Sequence, residues 1–270
     1  MKNILTAVSL ACAAFSANAS LWIFDDFTVN HGSGMDLAKN GVGSESGSTA
    51  IMTPGIIGGQ RDAELTVTQA GSANPDSTLQ AGDPDFPFLS WTNGSGAFSI
   101  AEVIYDGDST KPKNATSFYS TPPKMNVFSE GLNSLDVLNP AGLYTAFYFD
   151  VVTSDAAGTF DYYLQVFDMQ GGVDQITGAN PGGVLSRMAI DFSLFNPANV
   201  DLSDIGAIAF GFKSTEEGTD ISINSWGVIP EPSILAIFGT TLFGFGVVTT
   251  LRNRKQRVSQ SKWAGLLTPV

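Results

Sequence analysis

"YTAFYFDVVTSDAAGTFDYYLQVFD", residues 144–168, holds two runs of aromatic and β-branched residues separated by the small and polar stretch "TSDAAG". Apolar runs this short, bounded by turn-forming residues, read as β-strands rather than helices. The same texture continues in both directions. "LWIFDDFTV" (21–29), "AELTVTQ" (63–69) and "AFSIAEVIY" (97–105) precede it, and "RMAIDFSLF" (187–195), "AIAFGFK" (207–213) and "TDISINSWGVI" (219–229) follow. Clusters of Gly, Asn, Asp, Pro and Ser punctuate the runs, as turns require. Outside the two terminal apolar segments no stretch keeps a helical period, and no repeat near 40 residues suggests propeller blades. The pattern predicts an all-β body, a two-sheet β-sandwich of jelly-roll type. "GVGSESGST" (41–49) is expected to be a flexible loop, and no composition shift divides 20–229 into two domains.

The chain has 270 residues, 43% hydrophobic and 14% charged, enough for a sizeable core. Its one cysteine, Cys12, falls in the amino-terminal apolar stretch, so the body forms neither a disulfide nor a thiolate metal site. That stretch, "MKNILTAVSLACAAFSANAS", has a basic start at Lys2, an apolar run from Ile4 to Phe15, and Ala17-Asn18-Ala19 before Ser20. Residues 1–19 read as a secretory signal peptide.

The other apolar segment runs without a charge from Ile234 to Leu251. Its 18 residues reach roughly 27 Å as a helix, the thickness of a hydrocarbon core. Arg252, Arg254, Lys255 and Arg257 follow at once, and such a basic cluster stays on the cytoplasmic side of a membrane. The body is therefore expected outside, with residues 258–270 as a cytoplasmic tail. Ahead of the span, Pro230 and Pro232 keep the chain extended and present Glu231 on exposed backbone. Pro230-Glu231-Pro232, one hydrophobic span and a basic cluster, after an amino-terminal signal, resemble a PEP-CTERM sorting domain over residues 229–257. The resemblance implies a bacterium that makes extracellular polysaccharide, and processing at the motif by a membrane-embedded, exosortase-like sorting protease. More loosely, "PGIIGGQRDAEL" (54–65), "YDGD" (105–108), "GLNSLDV" (131–137) and "VDLSDIGAIAFGF" (200–212) are similar in order to segments of a jelly-roll domain of exported bacterial proteins. That likeness supplies no activity.

Between residues 20 and 229, 25 Asp and Glu stand against 7 Lys and Arg, a net charge of −18. Such a body repels nucleic acid. A serine triad or a zinc site needs more than the single His31 of "VNHGSG". Paired carboxylates for glycoside hydrolysis are plentiful, yet nothing in the sequence distinguishes a pair. Calcium is the cofactor best suited to this composition. Asp83 and Asp85 in "GDPDF", and Asp106 and Asp108 in "YDGDS", set oxygen ligands two residues apart on turns. The plainer role for such residues is to accept hydrogen bonds from turn amides. For Asp25 and Asp26 a structural role is expected instead, an inward carboxylate pairing with Arg61 of "GGQRD". Trp91, in the polar stretch "LSWTNGSG", is a candidate platform for a sugar ring, with Tyr105 or Tyr119 near it in sequence; Trp22 and Trp226 are expected in the core.

These readings combine into an exported, surface-sorted, non-catalytic protein of the bacterial envelope or exopolysaccharide matrix. The alternative is a carbohydrate-binding module of that matrix, with or without calcium, and the third is a glycan-active enzyme.

Overall fold

The computed structural model describes residues 21–28, 36–48, 55–83, 86–107, 131–138, 144–154, 159–180 and 187–230. The signal peptide, Glu231, Pro232, the apolar span, the basic cluster and the tail lie outside them, as do His31, Asp85, Asp108 and Tyr119. Among the described residues no helix is long and apolar enough to cross a membrane.

Among the described residues thirteen strands carry the fold: β1 (Trp22–Asp25), β2 (Leu37–Lys39), β3 (Gly43–Ser48), β4 (Asp62–Gln69), β5 (Ser77–Asp83), β6 (Phe86–Asn93), β7 (Phe98–Tyr105), β8 (Tyr144–Ser154), β9 (Phe160–Asp168), β10 (Val173–Asn180), β11 (Arg187–Asp191), β12 (Ile205–Ser214) and β13 (Ile221–Pro230). They form two antiparallel sheets within one compact unit, Leu21–Ile229. The seven-stranded sheet runs β11-β8-β13-β6-β5-β2, with β1 also on β13; the six-stranded sheet runs β10-β9-β12-β7-β4-β3. β13 pairs with β6 through Ile221–Ile223 and with β1 through Trp226–Val228.

Alternation along each strand decides its inner face. β7 turns Ala101, Val103 and Tyr105 inward, β12 turns Ile208, Phe210 and Phe212, and β8 turns Phe147, Phe149 and Val151. The two sheets meet over Trp226, whose ring lies 5.9 Å from Phe149 in its own sheet and 4.9 and 5.3 Å from Tyr105 and Phe210 in the facing one. Fully enclosed aromatics of this size dominate the burial that offsets chain entropy.

Two expectations fail for one reason. The loop expected over 41–49 holds a strand instead, because Gly43–Ser48 pair as β3 with β4, Ser44 Oγ lying 2.8 Å from Thr66 Oγ1. Trp91 is not on a loop either; it sits in β6 with 1% of its surface exposed. A polar strand reads as a loop when only composition is considered, since the ladder hydrogen bonds are made by the backbone. β5 and β10 are the other strands hidden by polar sequence. β11 stops at Asp191, and Phe192–Leu194 form a 3₁₀ turn.

Candidate functional site

The sequence-derived candidates part company in the structure. Asp83 ends β5 in the seven-stranded sheet, whereas Asp106 follows β7 of the other sheet and is buried. Among the described residues no three His, Cys, Asp or Glu side chains converge on a common point. Pro230 closes β13. Trp91 offers no face to a sugar: Phe212 stacks on it at 6.5 Å, and its Nε1 donates to Ser99 Oγ at 2.8 Å. Tyr105 is buried too. Trp22, expected inside, is 37% exposed.

Many of the body's carboxylates cap backbone amides. Asp76 accepts from Gly41 N at 2.6 Å and Gly71 N at 2.8 Å, and Asp168 from Gln170 N, Gly172 N and Asp201 N at 2.9, 2.7 and 3.0 Å. Asp174, Asp191, Asp201 and Asp220 do the same for Asn196, Ser193, Ser203 and Asn93. Much of the acidity of the sequence is thus the chemistry of its turns. Asp25 is deeper. Its Oδ2 lies 3.3 Å from Arg61 Nε, both side chains at 0% exposure, and accepts from Tyr105 Oη at 2.9 Å, while Oδ1 takes Phe27 N at 2.9 Å. The Arg61 guanidinium also sits 4.9 Å from the Phe27 ring. The pairing expected from "DDF" and "GGQRD" is present. Burial pushes the Asp25 carboxyl up, and Arg61 opposes that push.

A second buried group crosses the outer face of the six-stranded sheet. Gly211 of β12 stands between Tyr163 of β9 and Glu102 of β7, and Glu102 pairs in turn with Glu64 of β4. A Cβ at Gly211 would run into the Tyr163 ring, so the glycine lets that ring lie flat across β12. Tyr163 Oη then donates to Glu102 Oε1 at 2.5 Å. Burial raises the Glu102 carboxyl to about 7, the Tyr163 bond opposes this, and Glu64 adds to it. Sequence reasoning missed this carboxylate pair. Its signal was there: each Glu interrupts an apolar strand on the face opposite the core residues. With Glu102 and Glu64 only 2% and 3% exposed, the pair is held inside the structure.

Among the described residues an open concavity lies at one end of the sandwich. The segment "DFSLFNPANVDLSD" (191–204) leaves β11 and is folded by its own side chains. Asp191 accepts from Ser193 N at 2.7 Å, Asn196 Oδ1 from Ala198 N at 3.0 Å, and Asp201 Oδ1 from Ser203 N and Oγ at 2.9 and 2.6 Å. Hydrogen bonds from the Ser193 hydroxyl and amide hold the Asp191 carboxyl below its ordinary range. Together with Leu138 the segment lines an open hollow of about 630 Å³, with Phe192, Phe195, Pro197 and Leu202 along it and Ser193 and Asp201 at its edge. Phe147 links it to the core, 4.9 Å from Phe192 and 5.9 Å from Phe195. At the same end Tyr144, the first residue of β8, lies 5.9 Å from Trp22. Nothing local in the sequence marks this cavity, because residues on either side of four strands, β8 to β11, must meet to form it.

No protein-family model and no curated protein matches the chain. Among solved structures it is similar to an exo-β-agarase (TM-score 0.38, 12% identity, 80% of this chain and 26% of that one). It is similar to PfGH50B (TM-score 0.34, 11% identity, 72% and 24%). A third likeness is to the family 11 carbohydrate-binding module of the cellulosomal cellulase Lic26A-Cel5E of Clostridium thermocellum (TM-score 0.28, 14% identity, 78% and 95%). The chain spans about a quarter of the length of the first two and nearly all of the third.

Proposed function

We propose that the protein is an exported β-sandwich of jelly-roll type that binds extracellular polysaccharide without catalysing a reaction on it, and that residues 230–257 anchor its precursor in the membrane. The observation that carries the binding role is the cavity at the sandwich end. Its volume falls in the range of small-ligand sites, and its lining joins aromatic and aliphatic surface to a hydroxyl and a carboxylate. That is the mixture a sugar needs, because a pyranose ring presents C–H groups on its faces and hydroxyls on its rim. Enclosed as they are, Glu64 and Glu102 are not the acid/base pair of a hydrolase, which has to reach the scissile bond. Anchoring rests on the sequence order of sorting motif, apolar span and basic cluster; Glu231 is then the processing position and an exosortase-like protease the partner.

A glycan array probed with residues 20–230, with and without calcium, tests the binding role. Retention on at least one polysaccharide, weakened by Ser193→Ala and by Asp201→Asn, is the expected result. Silence across acidic and neutral polysaccharides in both conditions would remove the binding role. Retention only with calcium would bring Asp83, Asp85, Asp106 and Asp108 back as ligands.

A further inference from the structure

Four large hydrophobic side chains are exposed among the described residues, Trp22 (37%), Ile23 (49%), Val42 (68%) and Leu194 (57%). Three of the four gather at the cavity end. Trp22 and Ile23 open β1 opposite Val228 and Gly227, near the finish of β13. Leu194 lies in the turn after Asp191, which pairs with Ala146 two residues from Tyr144. Val42 stands apart, next to Gly43, whose ladder leads through Val67 to Ser99 at the far end.

The chain leaves the sandwich at this same end. Trp22 pairs with Val228, β13 closes at Pro230, and the uncharged run begins at Ile234. Four residue steps reach on the order of 14 Å when fully extended. A span inserted from Ile234 therefore holds the exposed Trp22, Ile23 and Leu194 close to the lipid headgroups. Tryptophan favours that interfacial layer, where its ring is half in apolar surroundings and its N–H finds a partner. With a net charge of −18 between residues 20 and 229, the attraction to a bilayer is apolar rather than ionic.

We infer that in the anchored chain this end of the sandwich lies against the lipid surface through Trp22, Ile23 and Leu194. The inference rests on the anchoring reading above. It also regulates the proposed glycan site, because the cavity shares this end: seating on the bilayer and polysaccharide binding compete, and binding belongs to the released body.

The test uses residues 20–270, the chain without its signal segment, in phosphatidylcholine vesicles, with a matched set containing the dibrominated lipid, which quenches tryptophan by contact. Flotation first reports whether the chain is held by the membrane. The expected result is co-flotation, with brominated lipid quenching a component of the emission that Trp22→Phe abolishes and that Leu194→Trp, made in the same chain, restores. Trp91 and Trp226 are buried and remain unquenched, and Trp263 of the tail is replaced by Phe in every sample so that Trp22 is the one remaining reporter. Co-flotation with quenching indifferent to Trp22→Phe and to Leu194→Trp overturns the inference and leaves the anchor in place. Failure to float overturns the anchor, and this inference with it.

Discussion

The two ends of the sandwich are closed by opposite means. At the far end from the chain's exit, a polar network stitches the sheets together. Ser99 Oγ of β7 accepts from Trp91 Nε1 at 2.8 Å and meets Ser77 Oγ at 2.9 Å, while its backbone N donates to Ser214 Oγ at 2.8 Å. Asn93 adds its own bond to Thr219 O at 3.0 Å. At the exit end the contacts are rings edge to face: Trp22 with Phe24 at 5.2 Å, Phe24 with Trp226 at 5.0 Å, Phe147 with Phe192 at 4.9 Å. Rings packed on rings leave gaps at a rim, and here the gap is the cavity. In the proposed reading, one end is given to stability and the other to binding.

Four measurements break or sharpen that contrast. The largest effect is expected beneath the aromatic end, at the Asp25–Arg61 pair. Arg61→Met strands a buried carboxylate and should cost about 3–5 kcal/mol in urea unfolding, part of which Asp25→Asn in the same chain recovers. A cost under about 1 kcal/mol, the level of an exposed pair, would mean that the aromatic end has no ionic lock and that the contrast extends into the core.

Next comes pH, acting on the sheet face between the ends. Glu102 is raised from 4.5 to about 7 by folding, so its folded form holds the proton more tightly. Its contribution is fully present below pH 4.5 and is lost as pH rises through 7. The shift corresponds to about 3 kcal/mol. Urea midpoints of the wild type minus those of Glu102→Gln should fall between these limits, and a flat difference would remove Glu102 from the titration. Glu64→Gln should move the fall to lower pH.

At the polar end, Ser99→Ala leaves Trp91 Nε1 without its acceptor and should cost about 1–3 kcal/mol. The smallest change belongs to the cavity rim: Ser193→Ala should alter stability by less than about 0.5 kcal/mol while weakening glycan retention. If Ser193→Ala destabilised more than Ser99→Ala, the division of labour between the ends would be wrong.

What the sequence discloses follows the physics of each part. β7, β8, β9 and β12 were legible because their inner faces are apolar and alternate, and burial on a sheet is written at period two. β3 and β10, at the edges of the six-stranded sheet, were not, since an edge strand keeps only one neighbour and its side chains face water. The two misplaced tryptophans exchange roles for a related reason. Trp91 is flanked by Ser90 and Thr92, and the polar surroundings suggested solvent. Thr92 is instead tied to Thr78 across the ladder, hydroxyl to hydroxyl at 2.6 Å, while Trp91 points to the other face. Trp22 has apolar neighbours yet falls at the end of a four-residue strand, where the core runs out. Asp25 and Arg61 were legible as a pair because a charge inside an apolar strand needs a partner and the sequence offers few cations. The cavity required contacts between residue 138 and the 192–202 segment, which no local pattern records.

The placement of β13 has a mechanical consequence. Its final residue, Pro230, leads directly to the proposed anchor, so drag on the body would be transmitted to the cell through this strand. β13 lies inside its sheet, with β8 on one side and β6 and β1 along its length. The hydrogen bonds of an antiparallel ladder run across the strands. A pull along β13 therefore loads them together in shear instead of peeling them one at a time, as happens at a free edge. The proposed tether would thus be attached where tension must break many bonds at once, and forced unfolding, a rate process set by the unfolding barrier, would be slowed accordingly.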